Sequence, residues 1–281
     1  MGGQFRYLYM NRFLIILSIL TLTFPFSMAS SPEYIALADS ADMYIKNEKW
    51  DAAETTIIKA LRLEPANFSN SLLFSNLGIV RTNRGELNSA LEAFDLGLAI
   101  APGSSVIRNN RAKTYIMMGD YDNALNDLDE SLSIDSIQEW PLQMRGMLRV
   151  RKNDLDGATH DFKALLRIYP RSYVAMEGLG NVEEVKGNFP DAIKYYDEAI
   201  DLFDNPETRS ARILAKINSD KFSDAAADIS KSIRKYPEYA DFYIWRGYLH
   251  RLNYRNDEAQ ADKKNAIAKG ADPQFVQQFI P

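Results

Sequence analysis

Residues 108–135 read RNNRAKTYIMMGDYDNALNDLDESLSID, and within them Arg111 and Asp127 stand sixteen residues apart around an apolar ladder and Gly119. The same spacing returns as Arg145 and Asp161, Arg212 and Asp228, and Arg246 and Asp262. It belongs to a longer repetition. Ala occurs at 53, 90, 124, 158, 192, 225 and 259, with gaps of 37, 34, 34, 34, 33 and 34. A constant period of this length is the mark of stacked supersecondary units. Four residues after each Ala comes Ile57, Phe94, Leu128, Phe162, Tyr196, Ile229 or Lys263; three further on comes Ala60, Gly97, Ser131, Leu165, Ala199, Ser232 or Ala266. Offsets of four and seven share one helix face. A small–large–small face lets a neighbouring backbone come close while the large side chain fills the gap beside it.

A second helix precedes this one in each unit, with landmarks Leu77-Gly78, Leu179-Gly180 and Gly247. Gly85, Gly119 and Gly187 fall between the two helices, where a chain leaving a helix needs positive φ. Pro190 falls in the first turn of a second helix, where Pro is tolerated. Pro65, Pro102, Pro170 and Pro237 close four units. Each unit therefore reads as a helical hairpin. The pattern resembles the tetratricopeptide repeat family. It is clearest in the second unit (Phe74, Leu77, Gly78, Ala90, Phe94, Pro102), the fourth (Gly146, Ala158, Phe162, Pro170) and the fifth (Leu179, Gly180, Ala192, Tyr196, Ala199). The sixth unit departs from it with Ile213 at a small-residue position, and the seventh with Lys263 at the aromatic one. The resemblance implies an all-α, right-handed superhelical solenoid of antiparallel helix pairs. Seven units fill residues 30–271, and residues 272–281, with Phe275, Val276 and Phe279, supply a capping segment for an end that would otherwise lie open. Tyr34, Leu37 and Tyr44 are expected on the inner face of the first hairpin.

With each Ala as position 20 of its unit, the Arg is position 7 on the first helix and the Asp position 23 on the second. In a hairpin turning near position 16, the two lie within about 3 Å of axial rise, and a long Arg reaches to a paired hydrogen bond. Units three, four, six and seven carry both residues. Units one, two and five carry neither, having Ser40 and Thr56, Leu77 and Ala93, and Leu179 and Tyr195. This points to a structural pair made within the unit, repeated four times, rather than one catalytic site.

The first 29 residues are a different object. Arg6 and Arg12 are their only charges, Phe13 to Phe24 is an unbroken uncharged run, and Ser27 and Ala29 occupy the −3 and −1 places of a cut after Ala29. That is the layout of an export signal. The run is short of the roughly 20 residues of a spanning helix, and an uncleaved anchor is the alternative. Cleavage leaves no membrane anchor and an exported protein, periplasmic in a diderm bacterium and otherwise secreted.

Composition narrows the chemistry. The 281 residues are 46% hydrophobic and 25% charged, an ordinary globular balance, with a net charge of −5 that disfavours general nucleic-acid binding. There is no cysteine, so disulfides, thiolate nucleophiles and Cys-held metals are excluded, and two histidines, His160 and His250, in different units make a poor metal site. No nucleophile–base constellation is present and no cofactor is expected, so catalysis is not expected. A surface remains. In the resembled family the first helices line a concave groove through positions 2, 5, 6, 9 and 12. Here those places include Asn76, Asn109, Asn110, Lys113, Gln143, Met144, Met147 and Asn181, with Ile244, Tyr248 and Arg251 as a more aromatic patch near the C-terminus. Amides bond a peptide backbone in either polarity, and Met adapts to varied apolar side chains. The Lys/Asn/Asn/Lys/Arg clamp with which some family members hold a C-terminal carboxylate is not found at matching positions. The reading is an exported scaffold or adaptor for a protein or peptide partner, in envelope, secretion or pilus assembly. A self-associating structural solenoid is the alternative, and an enzyme on a helical-repeat frame the lesser one. If the export reading holds, the mature protein begins at Ser30, which N-terminal sequencing or intact mass checks; a chain retaining Met1 would refute cleavage.

Overall fold

The computed structural model describes residues 30–281, and the expected export segment lies outside the described residues. Seven helix pairs follow one another. They are α1 (Pro32–Lys46) with α2 (Trp50–Leu63), α3 (Asn70–Asn83) with α4 (Leu87–Ile100), α5 (Ser105–Met118) with α6 (Tyr121–Ile134), α7 (Glu139–Arg151) with α8 (Leu155–Ile168), α9 (Tyr173–Val185) with α10 (Phe189–Leu202), α11 (Pro206–Asn218) with α12 (Phe222–Lys235), and α13 (Asp241–Leu252) with α14 (Asn256–Ala268). A final short helix, α15 (Pro273–Phe279), ends the chain, and no strand occurs among the described residues. Every substantial helix–helix contact joins helices one or two places apart in sequence. This is a solenoid, in which each unit is stabilised by its own pairing and by its neighbours alone.

The repeat is visible in the backbone. Five residues before every repeat Ala, the chain turns through the left-handed region, at Glu48, Gly85, Gly119, Asn153, Gly187, Asp220 and Tyr254, with φ between 55 and 78°. Glycine adopts that conformation freely and Asn or Asp tolerate it. Glu48 and Tyr254 do neither, so these two turns are strained by the pairing of the helices on either side. Several entries into helices are capped: Ser104, Asp120, Asp154, Ser172 and Asn205 each accept a hydrogen bond from the backbone N–H three residues on.

Where the two helices of a unit meet, side-chain sizes are matched. All seven repeat Ala residues are buried. A Cβ on Gly78 would stand 2.4 Å from the Phe94 ring, one on Gly146 2.8 Å from Phe162, and one on Gly180 2.5 Å from Tyr196. Glycine on the first helix thus accompanies a ring on the second. Where the first helix carries Ala41 or Ala112, the second carries Ile57 or Leu128 in the same buried cluster. The irregular sixth unit solves the problem with two branched chains, Ile213 and Ile229, both fully buried. In the seventh, the place that Lys263 leaves is taken from outside the unit, because a Cβ on Gly247 would meet Ile280 at 2.4 Å. Neither departure disturbs the helices around it.

The ends are closed. At the start, Tyr34 is buried and its hydroxyl donates to Asn70 Oδ1 of the second unit at 2.9 Å, with Leu37 and Tyr44 packed on the same cluster. At the finish, Val276 and Ile280 are buried and Phe279 packs beside them on the last unit. Phe162 is held between two glycines, for a Cβ on Gly178 of the next unit would come within 2.4 Å of the same ring. The ring has no room to retreat, so Gly146→Ala is predicted to lower stability by about 1–3 kcal/mol. Tyr254→Gly is predicted to raise it by about 0.5–1 kcal/mol, the left-handed penalty less the entropy of glycine. Denaturant unfolding of both variants checks the pair; a Tyr254→Gly protein no more stable than the parent would show that the turn is unstrained.

Candidate functional site

The Arg and Asp residues at sixteen-residue spacing form four paired contacts. Arg111 donates from Nε and Nη2 to the two oxygens of Asp127 at 2.8 and 2.6 Å. Arg145 reaches Asp161 at 3.0 and 2.6 Å, Arg212 reaches Asp228 at 2.9 and 2.7 Å, and Arg246 reaches Asp262 at 2.9 and 2.6 Å. All four carboxylates are buried. A buried carboxylate needs a bonded cation, and the fork of Arg satisfies both oxygens at once. A second basic group one turn further on assists two of them: Arg149 Nη1 donates to Asp161 at 2.8 Å, and Lys216 Nζ to Asp228 at 2.7 Å. Among the described residues Asp127 has Arg111 alone as its cation, and its hydrogen bonds hold that guanidinium still further in its charged form.

Each of the first three arginines also has a third arm. Nη1 of Arg111, Arg145 and Arg212 donates to Asp95, Asp129 and Asp197 of the preceding unit at 2.6, 2.7 and 2.6 Å. The arginine therefore ties its own two helices together and ties its unit to the one before. Units one and two are tied otherwise, through Glu54, which accepts from Arg81 and Arg84 at 2.9 and 2.6 Å. Between units four and five the corresponding residues are Lys163 and Leu179. Among the described residues no side-chain hydrogen bond or ion pair crosses there; the joint is the cluster of Phe162, Leu165, Ala175, Leu179 and Val182.

The inner-face residues divide into three groups. Three of the amides are engaged across unit boundaries: Asn76 donates to the Asp42 carboxylate at 2.7 Å, Asn110 to the Ser75 hydroxyl at 3.4 Å and Asn109 to the Gln138 amide at 2.7 Å. Their expected freedom to hold a peptide backbone is thus reduced to the valences left over, because neighbouring first helices approach closely enough to bond. Lys113 and Met147 are exposed, and Gln143 and Met144 half-buried. The Tyr196 hydroxyl lies 2.7 Å from Asn181 Oδ1 and 2.6 Å from Glu184 Oε2, donating its one proton to either. The C-terminal aromatic patch requires correction. Ile244 is fully buried, because α15 lies over this region: the Phe279 ring meets Trp245 edge-on at 5.0 Å and Tyr248 at 5.7 Å. Arg251 stacks on Tyr248 at 5.1 Å. This part of the face is covered by the chain's own terminus.

Sequence reasoning missed the carboxylates of the inner face, Glu177 and Glu184 at positions 5 and 12 of unit five and Glu207 and Asp241 at position 2 of units six and seven. Burial pushes the Glu177 and Glu184 carboxyls above the usual range, although Thr208 and Tyr196 hydrogen bonds oppose it. The histidines stand apart. His160 is mostly exposed, and His250 Nε2 lies 3.6 Å from Asp262, its imidazole held below the ordinary value chiefly by burial. Among the described residues no three His, Asp or Glu side chains are grouped to hold a metal ion, and no helix is long and apolar enough to cross a membrane.

Two family models described as tetratricopeptide repeat match the chain, one over residues 144–205 and 211–274 and the other over residues 106–138. A tetratricopeptide repeat protein from Parabacteroides merdae ATCC 43184 has a similar solved structure, with a TM-score of 0.74 and 25% identity, covering 89% of this chain and 98% of that one. PilW, a type IV pilus biogenesis factor, superposes with a TM-score of 0.62 at 16% identity over 74% of this chain and 96% of its own. A DnaJ homolog subfamily C member 7 homolog of Dictyostelium discoideum is 24% identical over 82% of this chain and 47% of its own length. The chain spans about half the length of the curated relatives it matches.

Removing Arg111 strands a buried carboxylate that has no other cation, so Arg111→Ala is predicted to cost about 3 kcal/mol. Arg145→Ala should cost less, since Arg149 remains on Asp161, yet more than an exposed Lys→Ala control, which stays within about 0.5 kcal/mol. Melting curves of the three variants give the ranking; an Arg111→Ala protein that melts with the control would remove the structural role of the pair.

Proposed function

The chain belongs to the tetratricopeptide repeat family, and on that premise we propose that it is an exported, non-catalytic scaffold that holds a protein segment along the inner face of its first helices. The observation that carries this reading is the division of its surface. The carboxylates between first and second helices are consumed in the Arg–Asp ladder, whereas Leu72, Val106 and Met147 on the first helices are left open to water. Side chains repeated in register on successive units present one continuous strip, the form suited to an extended or helical partner. The work we propose is assembly of an envelope, secretion or pilus apparatus. The solved pilus biogenesis factor of similar fold supports this at the level of fold. Export rests on the layout of residues 1–29.

A photo-crosslinking residue at Val106, compared with one at the exposed Ser133 on the second helix of the same unit, tests the face in the native compartment. The Val106 probe is expected to trap one defined protein that the Ser133 probe does not. Equal yields from the two positions, or no adduct from either, would count against a groove-borne partner.

A further inference from the structure

Position 2 of the repeat begins each first helix and recurs along the stack in one row. In unit one it is Ile35, in unit two Leu72, in unit three Val106, with 49, 62 and 60% of their surface in water. Trp140 and Val174 continue the row half-buried, and then its character changes to Glu207 and Asp241 in units six and seven. Single exposed apolar residues are ordinary; a run of them at one register is an unpartnered strip.

The charge beside the strip is unequal. Lys113 is the base beside Leu72, Val106 and Trp140, and the groove-position acids of that half, Asp39 and Asp42, are confined to unit one, where Asn76 of unit two donates to Asp42. Near its other half stand Glu177, Glu184, Glu207 and Asp241, and among the described residues none of the four has an Arg, Lys or His within ion-pair distance. The ladder acids Asp95, Asp127, Asp129, Asp161, Asp197 and Asp228 each have one. The bonds made by the inner four are to neutral groups, such as the Ser210 hydroxyl donating to Asp241 at 3.1 Å, and Arg251 is drawn aside onto Tyr248. Burial pushes the Glu177 and Glu184 carboxyls up, and a cation placed beside them would act in the opposite direction.

We propose that the partner segment carries large apolar side chains followed by a cluster of lysines or arginines, its apolar part lying on Leu72, Val106 and Trp140 and its cationic part beside Glu177, Glu207 and Asp241. The inference rests on the scaffold reading above and adds the chemistry of the occupant. Charge complementarity selects it: an acidic segment would bring its charge against four uncompensated carboxylates, whereas ammonium or guanidinium groups supply what the fold leaves out.

Three synthetic peptides test it, sharing one apolar run and ending in a block of lysines, of glutamates or of serines. Their affinities for the purified chain are compared by fluorescence anisotropy. The lysine peptide is expected to bind about tenfold more tightly than the serine peptide, the sum of several modest ion pairs, and the glutamate peptide most weakly. Glu177→Gln with Glu207→Gln and Asp241→Asn should abolish the preference and leave the serine peptide unaffected. Glu207→Gln alone, at an exposed residue, should reduce the preference without touching the fold. Leu72→Ser with Val106→Ser should weaken all three peptides equally. Equal affinity for the lysine and glutamate peptides, both weakened by the Leu72 and Val106 changes, would overturn the charge assignment and leave the scaffold reading standing. Absence of binding, or binding indifferent to Leu72 and Val106, would overturn both.

Discussion

The closeness of two helices at one point in each unit governs this molecule. An alanine with nothing larger than Cβ, and in units one to five a glycine facing a ring or an alanine facing Leu or Ile, set the distance at which first and second helices meet. Packing at crystal-like density leaves little slack in that choice. Glycine accompanies the large rings of Phe94, Phe162 and Tyr196; alanine accompanies the smaller Ile57 and Leu128. Where the match fails, at Lys263, the chain brings Ile280 back to fill the space over Gly247. The terminal helix is thus a missing core residue delivered from outside the unit as well as a lid on the stack.

The approach also decides what happens to charge. Helices this close bury the position-23 carboxylate, and a buried carboxylate is tolerable when a fork of Arg is fixed upon it. Position 7 is the place from which an arginine reaches it, and the same guanidinium still has an arm left for the unit before. Charge on this side is therefore used up internally. The inner face, lined by the first helices, keeps Glu177, Glu184, Glu207 and Asp241 without a paired cation among the described residues, and the two surfaces therefore have different capacities for a partner.

Much of this was legible in the sequence because it is periodic. Ala53 through Ala259 named the close contact, and Arg111 with Asp127 named the pair. The third arm was less legible: Asp95 lies sixteen residues before Arg111 just as Asp127 lies sixteen after, but it belongs to the previous unit and stands outside the position-7 and position-23 pattern. The turns at Glu48, Asn153, Asp220 and Tyr254 were hidden for another reason: glycine advertises a left-handed turn, and residues that merely endure one do not. The patch at Ile244, Tyr248 and Arg251 was misjudged because repeat position gives the direction of a side chain and says nothing of what a non-repeating tail lays across it. The inner carboxylates Glu177, Glu184, Glu207 and Asp241 stand at groove positions 5, 12, 2 and 2, but attention to amides and Met at those positions passed over them.

The plain apolar joint between units four and five has a mechanical meaning. Every directional bond along the outer ladder resists sliding of one unit on the next, and here there is none, only Phe162, Leu165, Leu179 and Val182 in mutual contact. Dispersion and the hydrophobic effect hold these surfaces without directional bonds, and the Phe162 ring seated against Gly178 sets their spacing. Bending of the superhelix should therefore gather at this joint, as small shear between packed helices rather than opening. The joint also falls between Trp140 and Val174 of the inner strip, so bending there would alter the distance from Leu72, Val106 and Trp140 to Glu177, Glu207 and Asp241.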